Sequence, residues 1–293
     1  MVGDVMSDVV VRPLGPVVEA SDTASSIVFA PGGSATSQAV WLARAGVEVH
    51  LVAAVGDDAQ ADAAERSVVA AGVRPHFVHV QGRSTGAVVS LVDANGERSM
   101  LTDRGANLAL SPADLPEELF VDGAHLHLSG YALLDPETRP AGLAALAMAH
   151  SRAMTRSVDA CSAAPIARVG AATFLGWTAG VDLLCSNRGE AAVLASVGSD
   201  ADPVEVAGRL CRDVREVVLT LGAGGALWLR AGGEAVASPG SDVTVVDTTG
   251  AGDAFTGTFL ACWLDGADPA DALRHGTEVA SGVVAKLGAR DWA

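Results

Sequence analysis

Asp253 is the residue of this sequence whose type and position most directly suggest chemistry. A β-branched run, Val243–Val246, predicts a short strand, and Asp253 through Cys262 predicts a helix, with Asp247-Thr248-Thr249-Gly250-Ala251-Gly252 between them. Glycines in such a turn remove side chains where backbone N–H groups face outward. A helix N-terminus adds orphan amides and the positive end of the dipole, a ready anion site. An acid in the first helical turn is also an ordinary start residue. Beside a bound phosphate, however, Asp253 would repel its neighbour unless it takes up a proton, which is what a general base does with an incoming hydroxyl. The amides of Gly250, Ala251, Gly252 and Asp253 would then form a cup for charge developing on the transferred group.

Other glycine-loop chemistries fit less well. A phosphate-binding loop of the Walker type needs Gly-Lys-Ser/Thr, and the single lysine of the chain is Lys286. That removes both the P-loop and the strand lysine of protein kinases. A dinucleotide fingerprint needs G-x-G-x-x-G opening the first βαβ unit. Here the spacing is G-x-G-x-x-x-x-G near the C-terminus, and it would set an acid against a pyrophosphate. A dinucleotide-dependent oxidoreductase is thus the weaker alternative.

Asp247-Thr248-Thr249-Gly250-Ala251-Gly252-Asp253 resembles the C-terminal signature of the ribokinase-like (PfkB) carbohydrate kinases, D-T-[TV]-G-A-G-D. Pro31-Gly32-Gly33-Ser34-Ala35-Thr36-Ser37-Gln38-Ala39, followed by Leu42-Ala43-Arg44-Ala45-Gly46, is similar to the family's N-terminal glycine-pair signature. Two signatures about 210 residues apart, in the right order, are more specific than either alone.

The resemblance implies an ATP-dependent sugar kinase with Asp253 as base and Gly250, Ala251 and Gly252 lining the anion hole. It implies that Asp8 binds two sugar hydroxyls, with Gly32, Gly33 and Ser37 alongside. Asn187 and Glu190 match an N-x-x-E segment that helps hold Mg²⁺ through water, although the pair also reads as a helix capping box. Thr220, Gly222 and Gly225 match a T-x-G-x-x-G segment bordering the nucleotide, and also read as a hairpin leading into Ala226–Leu229. His275 falls where a helix lies against adenine. Many members bind K⁺ beside the anion hole, for which Asp247 and Thr249 align, with carbonyls near Val283, Lys286 and Gly288. Arg104-Gly105-Ala106-Asn107 resembles fructokinase-like and ketodeoxygluconate-kinase-like members, so Arg104 and Asn107 join the sugar site. An arginine there suits a carboxylate or a hydroxyl-dense ligand, unless it is a solvated lid residue. Ribokinase carries Gly-Gly-Lys and an Asn where this chain has Ser34 and Ser37, and a glutamate where Ser129-Gly130-Tyr131 stands. Fructose, 2-keto-3-deoxygluconate or a similar sugar is therefore expected ahead of ribose. A nucleoside kinase of the same family ranks second, because one Tyr and six Phe offer no evident stacking platform.

The elements that must hold these residues are legible in outline. Val2–Val11 predicts a first strand, with Asp8 toward its C-terminal end, where α/β sheets place ligands. Gly33–Gly46 predicts a helix, Leu51–Val55 a core strand, and Ala59–Ala71 a helix closed by Gly72. Ala124–Leu128, Arg156–Ala160, Leu183–Ser186, Val217–Leu221 and Val243–Val246 alternate with helical stretches, the βαβ rhythm of a doubly wound, mainly parallel sheet flanked by helices. Segments about 12–30 and 77–104, with an Asn95-Gly96 hairpin turn, interrupt that rhythm and predict a small antiparallel sheet. In the family this sheet is a lid that keeps water from the reaction and mediates homodimer contacts. The expectation is one kinase domain over residues 1–293 with the lid inserted in it.

Composition narrows the partners. A net charge of −16 argues against nucleic acid and anionic membranes. Ala141–Ala149 is apolar but too short for a membrane span. Four cysteines without C-x-x-C spacing, and no basic n-region at the start, suit the cytoplasm.

Overall fold

The computed structural model describes residues 1–92, 98–244 and 247–285. The chain opens with β1 (Met6–Pro13), β2 (Ser25–Gly32), α1 (Ser34–Arg44), β3 (Val49–Gly56), α2 (Ala59–Ala70) and β4 (Val73–Val80). Next come β5 (Gly86–Val92), β6 (Arg98–Asp103) and, after three short 3-10 turns, β7 (His125–Ser129). Then follow α3 (Tyr131–Leu134), α4 (Arg139–Ser151), β8 (Thr155–Asp159), α5 (Ala163–Val169) and α6 (Ala171–Trp177). They lead to β9 (Leu183–Asn187), α7 (Arg188–Leu194), α8 (Pro203–Leu210) and β10 (Glu216–Thr220). β11 (Ala226–Arg230), β12 (Val236–Ser238), α9 (Ala251–Leu264) and α10 (Pro269–Val284) complete the order.

The main sheet runs β12-β11-β10-β9-β8-β7 and continues through Val2, which bridges in parallel to both Leu128 and Val52, into β3 and β4. From β4 to β10 every pairing is parallel; β11 and β12 turn back antiparallel. Parallel strands are covered on both faces, so their residues are apolar in succession rather than alternating. Leu184, Val217 and Leu219 point into a core with Ile166, Phe174 and Leu210, while Leu183, Cys185 and Val218 point into a second one with Leu42, Phe255, Phe259 and Leu273. The layers are thus helix–sheet–helix, the doubly wound arrangement expected.

The second sheet has the order β2-β1-β5-β6. Its period-two alternation turns Asp8, Val10, Val88, Ser90, Met100 and Thr102 toward one cavity. The opposite face carries Ile27, Phe29 and Leu101, which are 53%, 73% and 61% exposed.

Several expected boundaries need correction. The predicted first strand is two pieces: Val2 alone joins the main sheet, and β1 belongs to the lid. Asp8 consequently sits mid-strand in the lid, opposite Ala30, and not at the end of a core strand. Phe77–Val80 is the second half of β4, pairing in parallel with Ala53–Gly56, so it is main sheet rather than lid. The lid instead begins at Met6. No strand forms at Val243 and Thr244, because β12, earlier in the chain, takes the sheet edge beside β11. Val245, Val246 and the Asn95-Gly96 turn lie outside the described residues. Among the described helices none is long and apolar enough to cross a membrane.

Candidate active site

Parallel strands with a common direction bring their carboxyl ends to one edge, and the polar residues of this chain collect there. Asp4 follows the Val2 bridge, and Ser129, Asp159, Asn187 and Thr220 end β7, β8, β9 and β10. The N-termini of α1 and α9 face the same edge. Gly250 takes the left-handed conformation (φ 75°) that lets the chain turn into α9. At Gly257 a β-carbon would stand 2.6 Å from Cβ of Trp41 and 2.8 Å from the Gln38 carbonyl. That third glycine of the motif therefore serves the close crossing of α9 on α1. The crossing brings α1 to the acid: Ser34 Oγ donates to Asp253 Oδ1 at 2.8 Å, and Gln38 Nε2 donates to the same oxygen at 3.0 Å.

Two cavities meet at this point. One, of about 570 Å³, lies under the lid and is lined by Asp4, Asp8, Ser90, Arg104, Tyr131 and Arg168, among others. The other, of about 140 Å³, is lined by Asp159, Asn187, Glu190, Thr220, Gly252 and Thr256, among others. Ser34, Cys161, Gly250 and Asp253 line both. Asp253 thus stands on the wall that the two spaces share. The amides of Gly250 and Gly252 have no protein partner among the described residues, and a β-carbon at Gly252 would meet nothing within 4 Å. The amide of Ala251 reaches the Thr248 carbonyl only at 3.4 Å.

In the larger cavity, Gly32 lies beneath the carboxylate of Asp8, where a β-carbon would collide with it, and Gly33 caps α1 with φ 98°. Ser37 donates to the Gly33 carbonyl at 2.7 Å and lines the cavity. Arg104 lies with its guanidinium 4.4 Å over the Tyr131 ring and 3.6 Å from Asp4. Arg168 forms no ion pair among the described residues. Ser90 is buried, and its hydroxyl has no partner among the described residues. Asn107 is not brought into the cavity. Its amide clamps the chain behind it, accepting from Val5 N at 2.9 Å and donating to the Val5 and Arg104 carbonyls at 2.8 and 3.0 Å.

In the smaller cavity Asn187 and Glu190 make the capping box that their spacing also predicted. Glu190 N donates to Asn187 Oδ1 at 2.9 Å and Asn187 N to Glu190 Oε2 at 2.8 Å, and both residues line the space. Burial first, and the nearby charge of Asp159 second, push Glu190 up to about 8. Burial likewise raises Asp159, against the hydrogen bonds it accepts from Cys161 and Gln38. Ser186, next to Asn187, is buried, and its hydroxyl has no partner among the described residues. Crowded carboxyls with no counter-charge among the described residues, and an orphaned oxygen beside them, fit a cation with an anionic ligand. No cluster of three ligating side chains exists among the described residues.

The remaining expected residues fall elsewhere. Gly222 and Gly225 shape the β10–β11 hairpin; a β-carbon on Gly225 would stand 2.0 Å from the Ser238 carbonyl, so that glycine is demanded by chain packing. His275 lies on the exposed side of α10 beside Cys262, at 3.7 Å, and lines neither cavity. On the buried side of that helix, Gly276 packs on Phe255, and Thr277 keeps an unpartnered hydroxyl. Asp247 shapes its own turn, accepting from Thr249 N and Oγ1 at 2.9 and 2.7 Å, and approaches Arg12 of β1 at 3.6 Å. Lys286 and Gly288 are outside the described residues.

Sequence reasoning passed over Asp4, Gln38, Asp159, Ser90, Arg168 and Ser186. Asp4 was the most legible of them, an acid directly behind a strand-like start. It accepts from Ser34 N at 3.3 Å and Ala35 N at 3.2 Å, fixing the entry of α1.

This fold and site define a sugar-kinase architecture, and sequence comparison assigns it. The profile of the pfkB family carbohydrate kinases matches residues 1–293, and the chain belongs to that family. It is an ATP-dependent carbohydrate kinase, a phosphotransferase with an alcohol as acceptor. It is 33% identical over 266 residues to an ATP-dependent ribose-1-phosphate kinase from Halopiger xanaduensis, covering 88% of this chain and 82% of that one. A shorter stretch of 107 residues, 36% of this chain and 35% of the other, is 47% identical to a 1-phosphofructokinase from Haloferax volcanii. Among solved structures, adenosine kinase from Sinorhizobium meliloti superposes with a TM-score of 0.88 at 26% identity, covering 99% of this chain and 94% of that one.

Proposed function

We propose that this enzyme transfers the γ-phosphoryl group of ATP to a hydroxyl of a furanose sugar that already carries a phosphate, a sugar 1-phosphate. The reading is carried by the position of Asp253 between an acceptor cavity and an amide-lined phosphate cavity. Asp253 takes the proton of the attacking hydroxyl, while Gly250, Ala251 and Gly252 direct their amides at the phosphoryl group. Asp8, with Gly32, Gly33 and Ser37 behind it, holds acceptor hydroxyls, and the unpartnered oxygen of Ser90 joins them. Asn187, Glu190 and Ser186 would hold Mg²⁺ with its water, which would supply positive charge against the phosphates. Thr220 borders the nucleotide, and Thr277 takes the adenine-side place expected of His275.

Arg168 supports an anionic acceptor, being a cation on the cavity wall with no counter-ion among the described residues. The Halopiger relative is named for ribose-1-phosphate, which moves phosphorylated ribose ahead of fructose and 2-keto-3-deoxygluconate. A nucleoside acceptor is the second reading, favoured by the likeness to adenosine kinase. Against it, Tyr131 is the one aromatic ring on the cavity wall among the described residues, and Arg104 already covers a face of it. We place K⁺ beside the anion cup at Asp247 and Thr249, since the Asp247 amide bonds the Val284 carbonyl at 3.2 Å and so brings this turn to the end of α10. Unchanged rates when K⁺ is replaced by a bulky organic cation would remove that site. The apolar outer face of the lid is assigned to a second copy of the chain, and four unpaired cysteines suit a cytoplasmic setting. A monomer at micromolar concentration by sedimentation would remove the dimer.

ATP consumption scored against ribose 1-phosphate, fructose 1-phosphate, ribose, fructose, 2-keto-3-deoxygluconate and adenosine tests the acceptor. Preference for a sugar phosphate, with Arg168→Ala raising its KM about tenfold or more and leaving ribose unaffected, is the expected result. Preference for a neutral sugar or for adenosine would overturn the anionic reading.

A further inference from the structure

A file of buried polar groups crosses the interior behind Asp253 and takes no part in the chemistry just described. Gln38 Nε2 lies 3.0 Å from Asp253 Oδ1, 2.6 Å from Asp159 Oδ2 and 3.0 Å from Ser34 Oγ. Its other amide atom, Oε1, is 2.7 Å from His127 Nε2. His127 Nδ1 is 2.6 Å from Ser157 Oγ, which is 2.7 Å from His125 Nε2, and His125 Nδ1 is 2.8 Å from Thr155 Oγ1. Gln38, His127 and Ser157 are all but inaccessible to solvent.

With the amide nitrogen facing the carboxyls, one arrangement of hydrogens remains along the rest of the file. Facing two carboxyls, the amide must present Nε2, so Oε1 needs a donor and receives the Nε2–H of His127. Burial drives both histidines below their ordinary value, His125 to about 3, so each carries a single ring proton. His127 Nδ1 then accepts from the Ser157 hydroxyl, the Ser157 oxygen accepts from His125 Nε2–H, and His125 Nδ1 accepts from Thr155. All donors point toward Asp253. Were the amide turned over, its oxygen would face the Asp159 and Asp253 carboxyls, and both histidines would have to carry their proton on the other ring nitrogen.

We propose that Gln38 is a positioning residue for Asp253, and that His127, backed by Ser157, anchors its amide from the far side. Gln38 and Ser34 grip one carboxylate oxygen from two directions and so set the plane of the carboxylate against the acceptor hydroxyl. The proposal rests on Asp253 acting as the base. Misplacing a reacting group by about 1 Å costs on the order of 100-fold in rate, so losing the grip is read in turnover and not in binding.

The test compares His127→Leu, His127→Gln, Ser157→Ala and Asp253→Asn with the unaltered enzyme, using ATP with ribose 1-phosphate and, in parallel, ribose. Expected for His127→Leu is a kcat about 10- to 100-fold lower, with KM for both substrates within about twofold. His127→Gln, whose amide N–H reaches the same place, restores most of the loss. Ser157→Ala, which removes one small hydroxyl, lowers kcat in the same pattern and decides the matter if thermal unfolding finds His127→Leu misfolded. An inactive Asp253→Asn together with unchanged kcat in the His127 and Ser157 variants overturns the positioning role while leaving the base in place. Equal losses in His127→Leu and His127→Gln, or KM rising as kcat falls, overturn it as well. Full turnover in Asp253→Asn removes the base itself, a separately readable failure.

Discussion

Glu190→Gln separates the two functions of Glu190 because glutamine keeps the helix cap and removes the charge. A capping box accepts Glu or Gln at its third position, so the hydrogen bond from Asn187 N survives. The charge is another matter. Glu190 is 4% exposed and its carboxyl is pushed up to about 8, by burial first and by Asp159 second. A tenfold change in acidity is worth about 1.4 kcal/mol, so ionising Glu190 in the ligand-free fold costs on the order of 5 kcal/mol, shared with Asp159. Between about 4.5 and about 8 the folded chain keeps a proton on Glu190 that the unfolded chain has released. Stability must therefore fall as pH rises through that window, and level off above it. Urea unfolding of the ligand-free protein between pH 5 and pH 8.5 measures this. The stability of Glu190→Gln relative to the unaltered chain is expected to grow by about 2–5 kcal/mol across the window. Saturating Mg²⁺ and ATP should reverse the order, since the cation favours the ionised carboxylate. A difference that stays constant from pH 5 to pH 8.5 would refute the reasoning.

Two further outcomes follow from packing. Glu216 is buried and accepts from the indole N–H of Trp228 at 2.9 Å, from that of Trp263 at 2.8 Å and from Arg230 at 2.6 Å. Glu216→Leu strands the two indole donors, while the exposed Arg230 turns to solvent, and is expected to destabilise the chain by about 2–4 kcal/mol, measured by urea unfolding, with KM for ATP and sugar unchanged in the folded fraction. Gly257→Val places side-chain atoms against the backbone of α1, and about 1–3 kcal/mol of stability should be lost. Because α1 carries Ser34 and Gln38, kcat should fall in this variant even at temperatures where it is fully folded.

The alternating strands and helices of the main sheet were legible because the parallel strands that were recognised are short runs carrying Val or Leu that end at a glycine or a polar residue. Val2–Val11 was not, since sequence gives no sign that a chain leaves one sheet after a single bridging residue and enters another four residues later. Phe77–Val80 misled because a strand at a sheet edge, partly exposed, alternates like a lid strand. The motif residues around Asp253 were readable from type and spacing. Gln38 and Asp159 were not, since they meet Asp253 only through the crossing of α1 on α9 and the common direction of the strands. His275 failed for a local reason: one residue along α10 turns a side chain by about 100°, and the buried face belongs to Gly276 and Thr277.

Turnover by Asp253→Asn tests the central claim most directly, with ATP and sugar binding followed separately by calorimetry. The account predicts a kcat lower by about 10²- to 10⁴-fold while both ligands still bind with near-normal affinity. Turnover within a few-fold of the unaltered enzyme would contradict it.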